Sequence, residues 1–291
     1  MSKKSFIKKI LKKRPKISDK SKFGHVLVIA GSKCMPGAAL LTAKAAMKAG
    51  AGLVTMAHPK SLLPIFVKSF HEAIHLLLPE TKIGSIDESA WRIIVKNISR
   101  YNVIALGPGL GRCRETARFA IQIIKKAALP LVIDANGLNA MAELKKTWIL
   151  NKRIGITILT PHQGELKRLI DKPISWIAGH RLSISKKLAK EWNSIIVLKG
   201  NGTIVCSPDG RVFKDTLGGP ELATAGTGDV LTGIISSFVA QHPGWPFEAV
   251  VAAVQIHSLA GRLAKRDLGE YSVTASDLLE YLPKALTIQV K

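Results

Sequence analysis

Seven short apolar runs, each followed by a turn and most by a longer stretch with helical periodicity, constrain the fold of this chain more than any other feature. The runs cover residues 26–30, 53–57, 73–78, 102–106, 130–133, 156–159 and 195–198. A continuous apolar run of this length is typical of a strand covered on both faces. Strands that alternate with helices pair in parallel. The sequence therefore predicts a three-layer α/β fold, with a mostly parallel central sheet and helices on both faces.

Two further patterns complete the expected topology. Residues 204–206 and 211–213, joined through Pro208, Asp209 and Gly210, are typical of a β-hairpin. Beyond residue 226 the periodicity is helical, and helices are expected over residues 230–241, 247–264 and 275–285. Because the composition does not shift after residue 23, we predict one domain over residues 23–291.

A basic tail over residues 1–22 precedes that predicted domain. It carries ten Lys and Arg residues against one acid, Asp19. Phe6, Ile7, Ile10 and Leu11 form a short amphipathic turn among the lysines. We nevertheless expect a solvated tail, since a charge run is usually a solvated surface.

The excess of basic residues is compatible with three kinds of partner: nucleic acid, an anionic membrane, or small anionic substrates. The chain has 43 Lys and Arg against 20 Asp and Glu, a formal net charge of +23, but aromatic residues make up only 5%. Beyond the tail the basic residues are scattered, which does not match a basic, aromatic-rich nucleic-acid surface. No apolar run long enough for a membrane span or a signal peptide occurs, and the lysine-rich start matches an organelle transit peptide poorly. Three distant cysteines indicate neither a disulfide framework nor a zinc site. We expect a cytoplasmic protein with no nucleic-acid or membrane partner.

A glycine turn over residues 224–229 leads directly into the apolar segment 230–239. The uncovered N–H groups of Ala225, Gly226, Thr227 and Gly228, together with the positive end of the following helix, would form an anion hole. Asp229 is the acid beside it. A carboxylate there would repel a bound phosphate, so its expected use is to take a proton from an attacking hydroxyl. The alternative is that Asp229 is a plain helix N-cap.

The other unusual residues follow the ends of predicted strands, where parallel sheets bind ligands. They are Gly31 and Ser32, the glycine-rich loop 107–111, Asp134, His162 after Thr160 and Pro161, and Lys199 with Gly200. Loop 107–111 is not a dinucleotide fingerprint, because Arg112 stands where a glycine is needed, and no P-loop occurs. The loop indicates either close approach of a ligand or a tight turn.

Three candidates have structural alternatives that remain open. A lone histidine such as His162 is more often structural than catalytic. Glu165 is either a carboxylate facing a magnesium water shell or a partner of the helix dipole. Residues 199–203 suit a nucleotide phosphate but also an ordinary hairpin entry. His25 and His257, in apolar surroundings, are interpreted as packing residues.

Taken together, these segments resemble the NAD(P)H-hydrate dehydratases, a branch of the ribokinase-like superfamily. The likeness runs from about residue 23 to residue 286. It is carried by residues 23–32, 35–39, 107–111, 134–138, 160–165, 198–203 and 226–229. Other ribokinase-like enzymes commonly carry Asn-x-x-Glu where this chain has His162 to Glu165, so the histidine points to the dehydratase branch.

The resemblance implies that hydrated NADH or NADPH is dehydrated at the expense of a nucleotide, with Asp229 as the general base. Magnesium would bridge the donor phosphates. By the same analogy the hydrated dinucleotide would contact Ala39, Gly109, His162 and Asp229. The adenine nucleotide would be held by Lys199, Gly200, Asn201, Gly202, Thr203 and Gly228. The net charge would then attract two anionic ligands.

The resemblance also carries departures and further expectations. Many members have a preceding epimerase domain, so the epimerase is expected to be a separate protein. Glu221 stands where a small residue is expected, which places a negative charge near the anion site. The expected donor is ADP, with ATP as the alternative, and the expected assembly is a homotetramer.

Two other functions remain as alternatives. A vitamin-precursor kinase of the same fold would share the chemistry of Asp229 and release a stable phosphoester. A non-catalytic anion- or nucleic-acid-binding protein would use the charge alone, and its binding would survive Asp229→Asn with a steep salt dependence.

Overall fold

The computed structural model describes residues 3–290, and within that range a nine-stranded sheet forms the middle of the molecule. Its strand order is β3-β2-β1-β4-β5-β6-β7-β8-β9. The strands are β1 (His25–Ile29), β2 (Leu53–Pro59), β3 (Ile74–Leu78), β4 (Val103–Leu106), β5 (Leu131–Ile133), β6 (Thr157–Leu159), β7 (Ser194–Leu198), β8 (Ile204–Cys206) and β9 (Val212–Lys214). Strands β1 to β7 are parallel, and β8 and β9 add an antiparallel hairpin. The predicted sheet and hairpin are confirmed.

Helices cover both faces of the sheet. They are α1 (Lys3–Ile10), α2 (Pro36–Lys48), α3 (Leu63–Ser69), α4 (Trp91–Asn97), α5 (Arg114–Lys126), α6 (Asn136–Glu143), α7 (Gln163–Ile170), α8 (Ile174–Gly179), α9 (Arg181–Glu191), α10 (Thr227–Gln241), α11 (Pro246–Leu268) and α12 (Ala275–Val290). Helices α8 and α9 follow each other directly and are separated at His180. Among the helices of the described range, none combines the length and apolar character needed to span a membrane.

Two apolar cores lie on opposite faces of the sheet, because side chains alternate along each strand. On β1, Val26 and Val28 pack into the core that includes α2, α10 and α11. Their neighbours Leu27 and Ile29 pack into the other core, with residues of α5 and α6. The three-layer architecture is therefore confirmed, and it explains why central strands such as β4 and β5 are apolar at every position.

The N-terminal helix α1 corrects the expectation of a solvated tail. Ile7 and Ile10 are 4% and 2% exposed and belong to the core that contains α11. Lys9 donates a 2.9 Å hydrogen bond to Glu248, and its ammonium lies 3.0 Å from the ring centroid of Trp245. The amphipathic pattern was therefore the better guide for this helix. The domain boundary at residue 23 stays a prediction.

Candidate active site

Strands β5, β6 and β7 are neighbours in the sheet, and their carboxyl ends bring three separate segments together. Asp134 follows β5, His162 follows β6 after Thr160 and Pro161, and Lys199 follows β7. The expectation that the strand ends share one edge is confirmed by this order. It places charged side chains from three segments within contact distance of each other.

The centre of the site is Lys199, whose side chain is 17% exposed. Its Nζ lies 2.7 Å from Asp134 Oδ1 and 4.0 Å from Glu165 Oε2. Thr232 donates a 2.8 Å hydrogen bond to the other oxygen of Asp134. Burial alone would lower the pKa of Lys199, but the two carboxylates outweigh burial and raise it. Lys199 is therefore a fixed cation at this edge of the sheet.

Asp229 lies in the first turn of α10, close to that cluster. Burial raises the pKa of its carboxyl to about 7, the charge of Asp134 adds to the rise, and Lys199 opposes it. A carboxyl that titrates near neutral pH can accept a proton effectively in a reaction at that pH. The N-cap of α10 is Gly226, not Asp229, so the plain capping alternative is wrong.

The turn before α10 is held by several hydrogen bonds. Gly226 has a φ of +89°, a left-handed conformation that favours glycine. The Thr227 hydroxyl donates to the carbonyls of Leu222 and Thr224, at 2.8 and 3.0 Å. His257 Nε2 lies 2.9 Å from the carbonyl oxygen of Thr227 and donates to it. The N–H of Thr227, one of the expected anion-hole donors, donates to the carbonyl of Thr224 at 3.4 Å. Helix geometry leaves the N–H of Gly228 in the first turn without an intrahelical acceptor.

A cavity of about 280 Å³ lies on one side of Lys199. All six residues expected to hold the adenine nucleotide line it, namely Lys199, Gly200, Asn201, Gly202, Thr203 and Gly228. Leu222, Leu231 and Val254 supply apolar wall. The cavity thus combines an apolar surface, suited to a base, with glycine-rich backbone and a cation, suited to phosphates. We call it the glycine-loop cavity.

A second cavity, of about 430 Å³, lies on the side of His162 and Glu165. Arg112 and Arg168 also line it, so its charge suits an anionic ligand. We call it the histidine cavity. Lys199 lines the first cavity and lies 4.0 Å from Glu165, which lines the second, so the charged cluster joins the two.

Two of the residues expected to contact the substrate, Ala39 and Gly109, do not line the histidine cavity. Ala39 is only 1% exposed and does not line the histidine cavity. Gly109 is also outside the lining, although Met35, whose backbone it approaches, belongs to it. Of the four residues expected to contact the dinucleotide, the structure places His162 on the cavity surface and Asp229 beside the charged cluster.

His162 has a structural role as well as a place in the cavity. Its Nδ1 accepts hydrogen bonds from the N–H groups of Gly164 and Glu165, and Glu165 in turn accepts from the N–H of His162 at 2.9 Å. This reciprocal capping box starts α7. Because Nδ1 is an acceptor, the proton of the neutral ring is on Nε2. Burial, Lys199 and Arg168 lower the pKa of His162, which favours the neutral form of the ring.

Comparison with known families decides where this arrangement belongs. A family model described as NAD(P)H-hydrate dehydratase matches residues 26–284. The chain belongs to the NAD(P)H-hydrate dehydratase family. The resemblance drawn from the motifs is therefore confirmed.

Members of the family are similar to this chain over nearly its whole length. The ADP-dependent (S)-NAD(P)H-hydrate dehydratase of Bacillus subtilis is 32% identical over 284 residues, covering 96% of this chain and 94% of that protein. The bifunctional NAD(P)H-hydrate repair enzyme of Moorella thermoacetica is 38% identical over 278 residues, covering 95% of this chain and 52% of that protein. The chain thus spans about half the length of its bifunctional relatives.

A solved dehydratase of the family has the same fold. The crystal structure of the ADP/ATP-dependent NAD(P)H-hydrate dehydratase from Bacillus subtilis, co-crystallised with ATP and Mg²⁺, superposes with a TM-score of 0.84 at 29% identity. The match covers 98% of this chain and 97% of that one. The ribokinase-like form of the α/β fold is therefore confirmed.

Sequence reasoning missed two residues of this family member's site. Asp134 was recognised as a strand end but given no role, and its 1% exposure with two hydrogen-bond donors shows that it anchors Lys199. His257 was interpreted as a packing residue, yet it lines the glycine-loop cavity and holds Thr227. Burial lowers the pKa of His257 to about 4, so the ring is neutral. His257 and Thr227 are 30 residues apart, so no local sequence pattern predicts their contact.

Glu221, the departure from the expected family pattern, does not line the glycine-loop cavity. Its side chain is 2% exposed and accepts a 3.0 Å hydrogen bond from the N–H of Gly219. The other carboxylate oxygen lies 3.8 Å from Lys265. The negative charge is thus compensated by its own loop and by α11 instead of facing a bound nucleotide.

Proposed function

We propose that the protein uses ADP to dehydrate (6S)-hydrated NADH and NADPH, restoring NAD(P)H and releasing AMP and phosphate. The observation that carries this proposal is Asp229. It is a carboxyl with a pKa raised to about 7, next in the chain to Gly228, which lines the glycine-loop cavity. It interacts electrostatically with Lys199 and Glu165, which line the glycine-loop cavity and the histidine cavity respectively. One cavity suits an adenine nucleotide and the other an anionic co-substrate. This is the arrangement that phosphoryl transfer between two ligands requires.

The chemistry follows from the poor leaving ability of hydroxide. Asp229 removes the proton of the ring hydroxyl, and the hydroxyl oxygen attacks the terminal phosphoryl group of ADP. AMP leaves, and the ring carries a phosphate in place of the hydroxyl. Expulsion of that phosphate, with loss of a proton from the adjacent carbon, restores the nicotinamide double bond. The dehydration is thus coupled to cleavage of ADP.

Each part of the site has a place in that sequence. The N–H groups of Ala225, Gly226 and Gly228 form the anion hole, which stabilises charge on the transferring phosphoryl group. Thr227, whose N–H is directed to the carbonyl of Thr224, holds the turn. Residues 199–203 hold the adenine nucleotide, supported by their position along the glycine-loop cavity. His162 presents its Nε2–H to the hydrated dinucleotide, and Ala39 and Gly109 shape the wall behind it.

Magnesium fits this site as a partner of the donor phosphates. Asp134 is committed to Lys199 and Thr232, so it is not free to bind a metal ion. Glu165 Oε2 accepts from the N–H of His162, whereas the nearest described partner of Oε1 is His162 Nε2, at 3.5 Å. With Lys199 only 4.0 Å from Glu165, contact through water suits the carboxylate better than direct ligation. Bound magnesium would neutralise phosphate charge during transfer.

The experiment is the absorbance at 340 nm after the protein is mixed with hydrated NADH, magnesium and either ADP or ATP. We expect a rise that requires the nucleotide, is faster with ADP, and is lost in Asp229→Asn. The donor expectation is supported by the relative that is named ADP-dependent. A stable phosphoester with no rise at 340 nm would instead favour a kinase of the same fold.

We also propose that the enzyme is a cytoplasmic homotetramer and that a separate epimerase supplies its S substrate. An S-specific dehydratase needs conversion of the other epimer before repair is complete. Light scattering should give about four times the chain mass of 31.4 kDa. A monomer mass at micromolar concentration would contradict the assembly without touching the proposed reaction.

A further inference from the structure

Arg181, the first residue of α9, contacts the backbone of the loop that lines the glycine-loop cavity. Its Nη1 donates to the carbonyl of Asn201. Its Nη2 donates to the carbonyls of Leu198 and Gly202, at 3.3 and 3.1 Å. One guanidinium therefore contacts three carbonyls within a five-residue segment. Arg181 itself is not among the described residues that line the cavity, so it holds the loop from behind.

These contacts determine which way the peptide groups of the loop face. In a trans peptide the C=O and the following N–H point in opposite directions. When the carbonyls of Asn201 and Gly202 turn toward Arg181, the N–H groups of Gly202 and Thr203 turn away from it. Both residues line the glycine-loop cavity. Arg181 thus fixes the orientation of backbone donors in the part of the loop expected to meet phosphate.

The loop needs such a restraint because its glycines are conformationally free. Gly200 and Gly202 have φ values of +136° and +66°, conformations that glycine reaches easily and leaves as easily. Arg181 also leaves little room for a side chain at Gly200, since a Cβ there would lie 3.3 Å from Arg181 Nη2. The guanidinium therefore packs closely on Gly200, one of the residues whose backbone is least restricted.

The positive charge of Arg181 lies beside the loop and is not paired with a carboxylate among the described residues. Its described acceptors are backbone carbonyls, and burial is the cause that lowers its pKa, with no carboxylate contributing. An arginine stays protonated in such surroundings. A positive charge behind the loop, not cancelled by an ion pair among the described residues, favours anions bound in front of it.

Resting on the proposed function, we propose that Arg181 is a positioning residue for the nucleotide. It holds residues 198–202 in the conformation that binds a nucleoside diphosphate, and it adds positive potential there. It does not line the histidine cavity, where His162 is expected to contact the hydrated dinucleotide. Loss of Arg181 should therefore weaken nucleotide binding selectively.

The test compares Arg181→Gln and Arg181→Lys with Lys187→Ala, a matched control that removes a positive charge from an exposed position on the same helix. Calorimetric titration with ADP is the primary measurement. We expect Arg181→Gln to weaken ADP binding at least about ten-fold, since several charge-assisted hydrogen bonds are lost. Arg181→Lys keeps the charge but not the planar fork, so it should recover only part of the affinity. Lys187→Ala should bind like wild type.

Kinetics provides the second measurement, which a merely structural role would not reproduce. The KM for ADP should rise in Arg181→Gln while the KM for hydrated NADH stays within about two-fold. Unchanged ADP affinity, or an equal loss for both ligands accompanied by a lower Tm, would overturn the proposal. So would failure of the wild-type protein to bind ADP. Binding of ADP without any rise at 340 nm would refute the proposed reaction, and the titrations would still decide the role of Arg181.

Discussion

Lys199 and Asp134 are joined by a 2.7 Å hydrogen-bonded ion pair that connects the ends of β7 and β5 across the intervening strand β6. Both groups are shielded from water, at 17% and 1% side-chain exposure. The pair therefore fixes the cation that faces Asp229. It also makes the stability of the sheet edge and the electrostatics of the site depend on the same contact.

The pH dependence of activity should report Asp229. Its pKa is raised to about 7, and a general base acts in its deprotonated form. We expect kcat to fall by about ten-fold per pH unit below pH 7 and to level off above it. Rates at 340 nm between pH 5 and 9 check this. A flat profile over that range would show that Asp229 is not the base.

The raised pKa of Asp229 should make the stability of the folded protein fall as pH rises, whereas the activity should rise. A carboxyl whose folded-state pKa lies above its unfolded value favours folding at low pH, and that contribution is lost as pH rises through about 7. Asp229→Asn removes the cost of the buried charge. The gain in Tm of this variant over wild type should therefore be larger at pH 8 than at pH 5. Equal gains at both values would contradict the shift.

Removal of Lys199 should destabilise the protein by leaving the Asp134 carboxylate buried without its cation. We expect Lys199→Met to cost about 3–5 kcal/mol in the free energy of unfolding, as is typical when one partner of a buried pair is lost. The double variant with Asp134→Asn should recover much of that loss but not the activity. Urea unfolding of both variants provides the measurement. If the double variant is no more stable than Lys199→Met, the pair is not the source of the effect.

His162 can be tested for its two roles separately. Asparagine is a good N-cap, so His162→Asn should change the free energy of unfolding by no more than about 0.5 kcal/mol while removing the Nε2–H from the histidine cavity. His162→Ala removes the cap too, so it should also lower the free energy of unfolding, by about 1 kcal/mol. Both variants should raise the KM for hydrated NADH. An unchanged KM in His162→Asn would limit this residue to capping.

The packing of α1 leads to a prediction about stability alone. Ile10 is 2% exposed, whereas Ile17 is 88% exposed. Ile10→Ala should therefore lower the free energy of unfolding by about 2–4 kcal/mol, and Ile17→Ala should change it little. Chemical denaturation of the two variants is the measurement. Equal, small effects would restore the solvated tail as the better description.

Most of the fold followed from local pattern. The apolar runs predicted the seven parallel strands, and the hairpin pattern predicted β8 and β9. A central strand such as β4 is apolar at every position because both of its faces are buried. The break between α8 and α9 at His180 was not predicted, since the helical periodicity continues through it. The charge of residues 1–22 does not predict the burial of α1, because charge density carries no information about which face of a helix packs against a partner.

What the sequence by itself determined is therefore the set of elements, the glycine turn before α10, and the edge of the sheet at which Asp134, His162 and Lys199 meet. Periodicity and turn chemistry are properties of neighbouring residues, and parallel pairing brings strand ends together whatever lies between them. Only the tertiary structure decided that Lys199 pairs with Asp134 and that His257 holds Thr227. It alone set the pKa of Asp229 near 7. Those properties depend on burial and on distances between charges from separate segments, which linear spacing does not encode.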